Sequence, residues 1–226
     1  MIRLFLLFAF LVLSACSARV PHLDYRPGAV METLSAAASI SVYSSESGIS
    51  GRGFIVYRRP DKLHLVVLSP FGTTMFEAFA LGERVAMLYP SQSVAYVGNV
   101  NELLEQGGLQ GWRMMRWVMD ADPAANPDFS GSVTRDGKSG FKEQVVFENG
   151  LIISKTSPAG DTVYYKKYSV INGVPVASEL DLRNDRNDRI RIVLDEPEVN
   201  TDIEDAAFMP RLERMTILPL SALKQM

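Results

Sequence analysis

The chain has 226 residues, 47% of them hydrophobic, with 23 basic against 26 acidic groups and a net charge of −3. That length suits one domain with its own core, and the slightly acidic balance excludes the basic patch or stripe that nucleic-acid binding needs. A single cysteine and two histidines exclude a zinc site of the usual kind and any disulfide within the chain.

The chain opens with Arg3, ten consecutive apolar residues at 4–13, and then Leu13-Ser14-Ala15-Cys16. A positive start, a short apolar run and small residues before a cleavage point make a secretory signal. The run is half the roughly 20 residues a bilayer span requires. Its ending resembles the lipobox of bacterial lipoproteins. That resemblance implies cleavage before Cys16, a diacylglycerol group on its sulfur and an N-acyl group on the new amino end. An ordinary signal peptide with an incidental cysteine is the competing reading. The implied organisation is a signal peptide at 1–15, a lipidated tether at 16–27, a domain at 28–209 and an unassigned tail at 210–226. No second apolar stretch approaches spanning length, so the mature chain is expected to be tethered to a membrane rather than threaded through it.

The spacing of Val30, Met31, Leu34 and Ala38 predicts a helix over 28–38. Alternating β-branched and aromatic residues then predict strands at 39–45, 51–58, 62–69, 73–81, 84–89 and 92–97, punctuated by glycine and proline turns. One or two helices are predicted within 99–120, with Asn99 or Asn101 as a cap and Gly107-Gly108 as a stop. The second carries Trp112, Met114, Met115, Trp117, Val118 and Met119 around most of its circumference. Pro123 and Pro127 mark 120–129 as a loop. Strands resume at 131–135, 141–148, 150–157, 161–170, 176–183 and 188–195, with Asn149-Gly150 a strong hairpin signal. Eleven or twelve strands, mostly hairpin-linked, predict a mainly β fold with a few helices and a large antiparallel sheet that curls.

No catalytic constellation assembles. His64 alternates out of phase with Leu63, Leu65 and Val67, which predicts a surface histidine rather than a base. A calcium loop beginning at Asp120 needs glycine at position six and glutamate at position twelve; the chain has Ala125 and Gly131 there. Gly51-Arg52-Gly53 lacks the third glycine and the helix of a dinucleotide loop, and no serine sits in a nucleophile elbow. Neither metal, cofactor nor enzymatic activity is expected.

Hydrophobic surface remains. Periodicity nominates Phe54, Val56, Leu63, Leu65, Val67, Phe76, Trp112, Met115 and Met119 as walls of a cavity between sheet and helix. Methionine suits a surface that repacks around variable ligands, although the same residues also serve as plain core. Between two strands lies Ser69-Pro70-Phe71-Gly72-Thr73-Thr74. A hairpin tip is normally polar, so Phe71 either folds back on its sheet or contacts a lipid or a partner.

The lipobox, the strand from Gly51 or Gly53 through Phe54, Val56 and Arg58, and the Ser-Pro-Phe-Gly-Thr-Thr turn together resemble the LolB family of outer-membrane lipoprotein receptors. Tyr168-Ser169, Gly173-Val174-Pro175 and Glu198-Val199-Asn200 through Phe208 fit the wider superfamily with its soluble relative LolA. The family's turn carries leucine where this chain has Phe71. The resemblance implies a curved antiparallel half-barrel closed by helices around a hydrophobic cavity for acyl chains. It implies a receptor, acting without catalysis, that takes acylated lipoproteins from a LolA-like periplasmic carrier and inserts them into the outer membrane. Pro70, Phe71 and Gly72 would form the membrane-inserting loop. A monomer is expected on the periplasmic face of the outer membrane. Ser17 favours that placement, since aspartate there marks inner-membrane retention in some bacteria. The alternative is a lipoprotein of the same fold acting as a lipid-binding sensor or envelope assembly factor.

Overall fold

The computed structural model describes residues 22–43, 48–102, 110–138, 140–184 and 188–223; the side chains of 48, 49 and 110–113 are also outside it. Cys16 and the side chain of Trp112 therefore lie outside the described residues.

The structure is one open, curved sheet of 13 strands with a single α-helix among the described residues. Strands β1 (Thr33–Tyr43), β2 (Gly48–Arg58), β3 (Lys62–Leu68), β4 (Thr74–Leu81), β5 (Arg84–Tyr89) and β6 (Val94–Asn99) form one antiparallel meander. The helix α1 (Gln110–Met119) follows. Strands β7 (Gly131–Asp136), β8 (Lys142–Glu148), β9 (Leu151–Thr156), β10 (Thr162–Ile171), β11 (Val174–Arg183) and β12 (Arg189–Val199) form a second meander. The two join where β1 pairs antiparallel with β12, and β13 (Thr216–Pro219) adds parallel to β6 at the far edge. Asn149 and Gly150 both have positive φ, 50° and 72°, the backbone that a two-residue hairpin between twisted strands requires.

Two sequence expectations need correction here. Residues 33–38 belong to β1, not to a helix: Leu34, Ala36, Ala38 and Ile40 are buried while Ala37 and Ser39 are exposed, a period of two. Alanine favours helix intrinsically, but pairing with β2 on one side and β12 on the other overrides that preference. With 13 strands the sheet also exceeds the expected eleven or twelve. Thr216–Pro219 supplies β13, and Leu220 and Leu223 beyond it are buried in the main core.

The core-facing side of the sheet carries Ile55, Tyr57, Leu63, Leu65, Ala78, Met87, Val163, Leu180 and Ile192 against Met115, Trp117, Val118 and Met119 of α1. The other side has a smaller core of its own. After β12 the chain crosses the outer face of β3 to β6, where Leu212 and Met215 cover Phe79, Ala86, Leu88 and Ala95. Phe208 is buried there beneath the Arg58 guanidinium, 5.0 Å from its ring, and Asp205 accepts hydrogen bonds from Arg58 and Lys62. His64 faces this side, stacked on Phe79 at 3.9 Å with Nε2 3.3 Å from Glu77. It is half-buried rather than a surface residue, and that burial lowers its pKa despite the Glu77 charge.

Candidate functional site

The C-terminal end of α1 is held by side chains from the opposite sheet wall. A helix leaves its last carbonyls without partners. Here the Lys155 ammonium, fully buried, donates to the carbonyl oxygens of Trp117 and Asp120, each at 2.8 Å. Tyr165 Oη donates to the Val118 carbonyl at 2.7 Å. Trp117 Nε1 donates to Glu143 at 2.5 Å, and Glu143 lies 3.1 Å from Lys155. Burial pushes the Glu143 carboxyl upward, but Lys155, Arg135 and Trp117 together hold it below the usual carboxylate value.

Beyond α1 the chain forms a strap over residues 120–124, pinned at both sides. Asp122 takes a two-pronged pair from Arg59, 2.9 Å to Nη1 and 2.5 Å to Nη2, and a third bond from Lys138 at 2.7 Å. Lys138 also reaches Asp120 at 3.0 Å, and Ala124 donates its N–H to the Gly150 carbonyl at 2.8 Å. Burial opposes charge on Asp122, yet the bonds from Arg59 and Lys138 outweigh it and hold its pKa at about 2. Asp120, where a calcium loop would begin, and Asp122 are thus paired with cations. Among the described residues no group of carboxylates, histidines or cysteines is arranged to hold a metal.

Between strap and sheet lies a cavity of about 30 Å³, space for a water molecule. Val118, Met119, Ala121 and Pro123 form one wall; Leu34, Tyr165, Tyr168, Val176, Leu180 and Leu194 form the other, with Arg59 and Asp122 at the border. Tyr168 Oη donates to the Ile152 carbonyl at 2.6 Å, so both tyrosines direct their polar ends to backbone and their rings to the cavity. The lining is otherwise apolar.

Of the nine nominated wall residues, Met119 lines this cavity. Leu63, Leu65, Val67 and Met115 are buried in the core, and Phe76 packs against it beside Tyr89. Phe54 and Val56 were placed on the wrong face. Ile55 pairs with Leu65 and Tyr57 with Leu63, which turns Phe54 outward, 51% exposed. Gly53, not a large residue, occupies the core phase there, because a side chain would collide with the Val66 carbonyl. The sequence reading missed Arg59, Lys138, Glu143, Lys155, Tyr165 and Leu180. One signal was available: Lys155 interrupts an apolar strand.

The Ser69–Thr73 turn is a separate feature. Ser69 Oγ accepts the N–H groups of Phe71 and Thr73, both at 3.2 Å, and lies 2.7 Å from Thr73 Oγ1. Ser69 N–H bonds the Thr73 carbonyl and Gly72 N–H the Ser69 carbonyl, with Gly72 at φ 79°. The turn is closed by its own hydrogen bonds, and it leaves Phe71 94% exposed. Residues 65–76 and 85–98 carry no charge, so the strands flanking this tip and the neighbouring turn at Pro90–Gln92 form an uncharged rim. Among the described residues no helix is long and apolar enough to cross a membrane.

Comparison with known proteins agrees with this architecture. The family described as "Outer membrane lipoprotein LolB" matches residues 33–196. No curated protein matches the chain by sequence. Among solved structures, a DUF1329 family protein from Desulfovibrio piger superposes with TM-score 0.56 at 11% identity, covering 80% of this chain and 90% of that one. A LolA superfamily protein from Nitrosomonas europaea gives 0.53 at 13% identity, covering 85% and 92%. A putative outer membrane lipoprotein-sorting protein domain from Vibrio parahaemolyticus gives 0.52 at 10% identity, covering 78% and 88%. At these identities the likeness is one of fold.

Proposed function

The chain belongs to the LolB family of outer membrane lipoproteins, and on that premise we propose that it is a receptor, anchored through acylated Cys16, that accepts the acyl chains of lipoproteins and releases them into the outer membrane. No chemistry is involved. A LolA-like periplasmic carrier would deliver the lipoprotein, and the apolar cavity would shelter its chains in transit.

Phe71 carries the reading. A folding protein gains nothing from holding a phenyl ring in water on a turn locked by Ser69, whereas a membrane removes that ring from water. The acyl chains on Cys16 would hold the protein at the bilayer, and an apolar tip beside it would aid both docking and release. At about 30 Å³ the cavity in its present form is too small for an acyl chain. Each methylene kept out of water is worth about 0.8 kcal/mol, which favours direct passage from carrier to cavity, and entry would require Arg59 and Lys138 to let go of Asp122.

The test is lipoprotein transfer from a loaded carrier to vesicles. Phe71→Glu is expected to keep acyl-chain uptake and to stall delivery. Normal delivery by Phe71→Glu, together with no acyl-chain binding by the purified protein, would rule the receptor out.

A further inference from the structure

The outer face of β10, β11 and β12 bears a cation cluster that the cavity and the Phe71 tip leave unexplained. Two carboxylates with no exposed side-chain surface or nearly none, Asp181 and Glu179, are ringed by five cations. Arg183, Arg189 and Lys166 converge on Asp181 at 2.7, 2.6 and 3.3 Å. Arg191 and Lys167 converge on Glu179 at 3.0 and 3.2 Å. Two acids neutralise two of the five, which leaves an excess of three positive charges on a chain whose net charge is −3. These cations remain accessible: their side chains are between 37% and 65% exposed. Asp188 in the adjoining turn is engaged by Asn184 at 3.0 Å.

Register places the cluster at the same end of the sheet as Phe71. Arg189 pairs with Tyr43, Tyr43 with Gly48, and Arg52 with Leu68, the residue before the Ser69 turn. With strands about 4.8 Å apart, β11 lies about 20 Å from β3 along the sheet. Charge reverses along β12: Arg189 and Arg191 stand at this end, and the exposed Asp195, Glu196 and Glu198 stand toward the other. Two half-exposed tyrosines border the cations. Arg183 and Lys166 lie 5.4 and 5.9 Å from the Tyr164 ring, and Tyr43 sits at the β1 end.

We propose that this cationic end of the outer face is a second membrane contact, binding anionic phospholipid headgroups while Phe71 enters the apolar layer. Leu68 is level with Val193 and Glu179, so Arg183, Arg189 and Tyr43 reach at least as far toward this end as the Ser69 turn, and cations and tyrosines would meet the headgroup layer where Phe71 enters. The acidic far end is repelled by the same surface, so the contact also orients the sheet. This inference rests on the reading of Phe71 as a membrane-inserting tip, and it adds the lipid class that the receptor would prefer.

The test uses the lipidated full chain reconstituted in vesicles of phosphatidylcholine alone or mixed with phosphatidylglycerol. Cys16 is consumed by acylation, so a Ser39→Cys label reports the outer face next to Arg52, and a Pro70→Cys label reports the tip. Quenching of the Ser39 label by headgroup-quencher lipid is expected to rise roughly twofold or more with phosphatidylglycerol. That rise should vanish near 1 M salt, where the screening length falls to about 3 Å. Lys166→Gln/Lys167→Gln/Arg183→Gln should reduce the quenching to the neutral-vesicle value; Arg189 and Arg191 stay in place to hold Asp181 and Glu179. Equal Ser39 quenching in both vesicles would overturn the inference and assign the patch to a protein partner. An unquenched Pro70 label alongside a responsive Ser39 label would instead remove the Phe71 reading and leave the headgroup contact standing.

Discussion

Lys155 Nζ lies 2.8 Å from the carbonyl oxygen of Trp117, and no part of the lysine side chain is exposed. A cation at the C-terminal end of a helix faces both its unpaired carbonyls and the negative pole of its dipole. The last turn of α1 is therefore fixed to β9 by charge as well as by packing. The strap that begins at Asp120 starts from a fixed point.

Lys155→Met should destabilise the fold by about 3–5 kcal/mol, because Glu143 is left buried without its main counter-charge. Denaturant unfolding measures this. Adding Glu143→Gln to Lys155→Met should recover part of the loss, since the uncompensated charge is then gone.

The strap predicts an opposite effect on function. Arg59→Leu removes the two-pronged pair to Asp122 and should speed uptake of a fluorescent acyl-chain probe in stopped flow while lowering thermal stability. An unchanged uptake rate would mean that entry does not pass the strap.

Acid should act through the same pair. The folded pKa of Asp122 is about 2, below its ordinary 3.8. Its contribution, about 2 kcal/mol, is therefore complete above about pH 4 and is lost as pH falls from there toward 2. Arg59 stays protonated throughout. Asp122→Asn should be less stable than the parent at pH 7 and should show a flatter stability profile between pH 4 and 2. Unfolding curves measured across that range give the comparison.

Leu220→Ala should cost about 2–5 kcal/mol, as for any large-to-small change in a packed core, because Leu220 is 1% exposed in the main cluster. Thermal melting checks it, and a chain ending at 215 should lose still more.

Most strands of the sheet were legible because alternation, glycine and proline turns and Asn149-Gly150 act locally. What failed depended on neighbours distant in sequence. The spacing of Val30, Met31, Leu34 and Ala38 mimics a helix, and only the pairing of β1 with β2 and β12 shows residues 33–38 to be strand. Gly53 disguised the core phase of β2 and so drew Phe54 and Val56 to the wrong face. Met119 was found at the cavity because a helix apolar around most of its circumference must be buried. Tyr165, Leu180 and Leu194 were not, since their share in the cavity depends on where the strap crosses. Nothing local marks Arg59 or Lys138, and only the folded chain brings both to Asp122. Phe71 stood out because its oddity is local, an aromatic residue at a turn.

The most direct measurement is to map where a lipopeptide carrying a photoreactive group on its acyl chain cross-links to the purified protein. The account predicts cross-links to Met119, Tyr165, Leu180 and Leu194, stronger in Arg59→Leu than in the parent. Cross-links confined to the outer face, or none above a control lipid-free peptide, would contradict it.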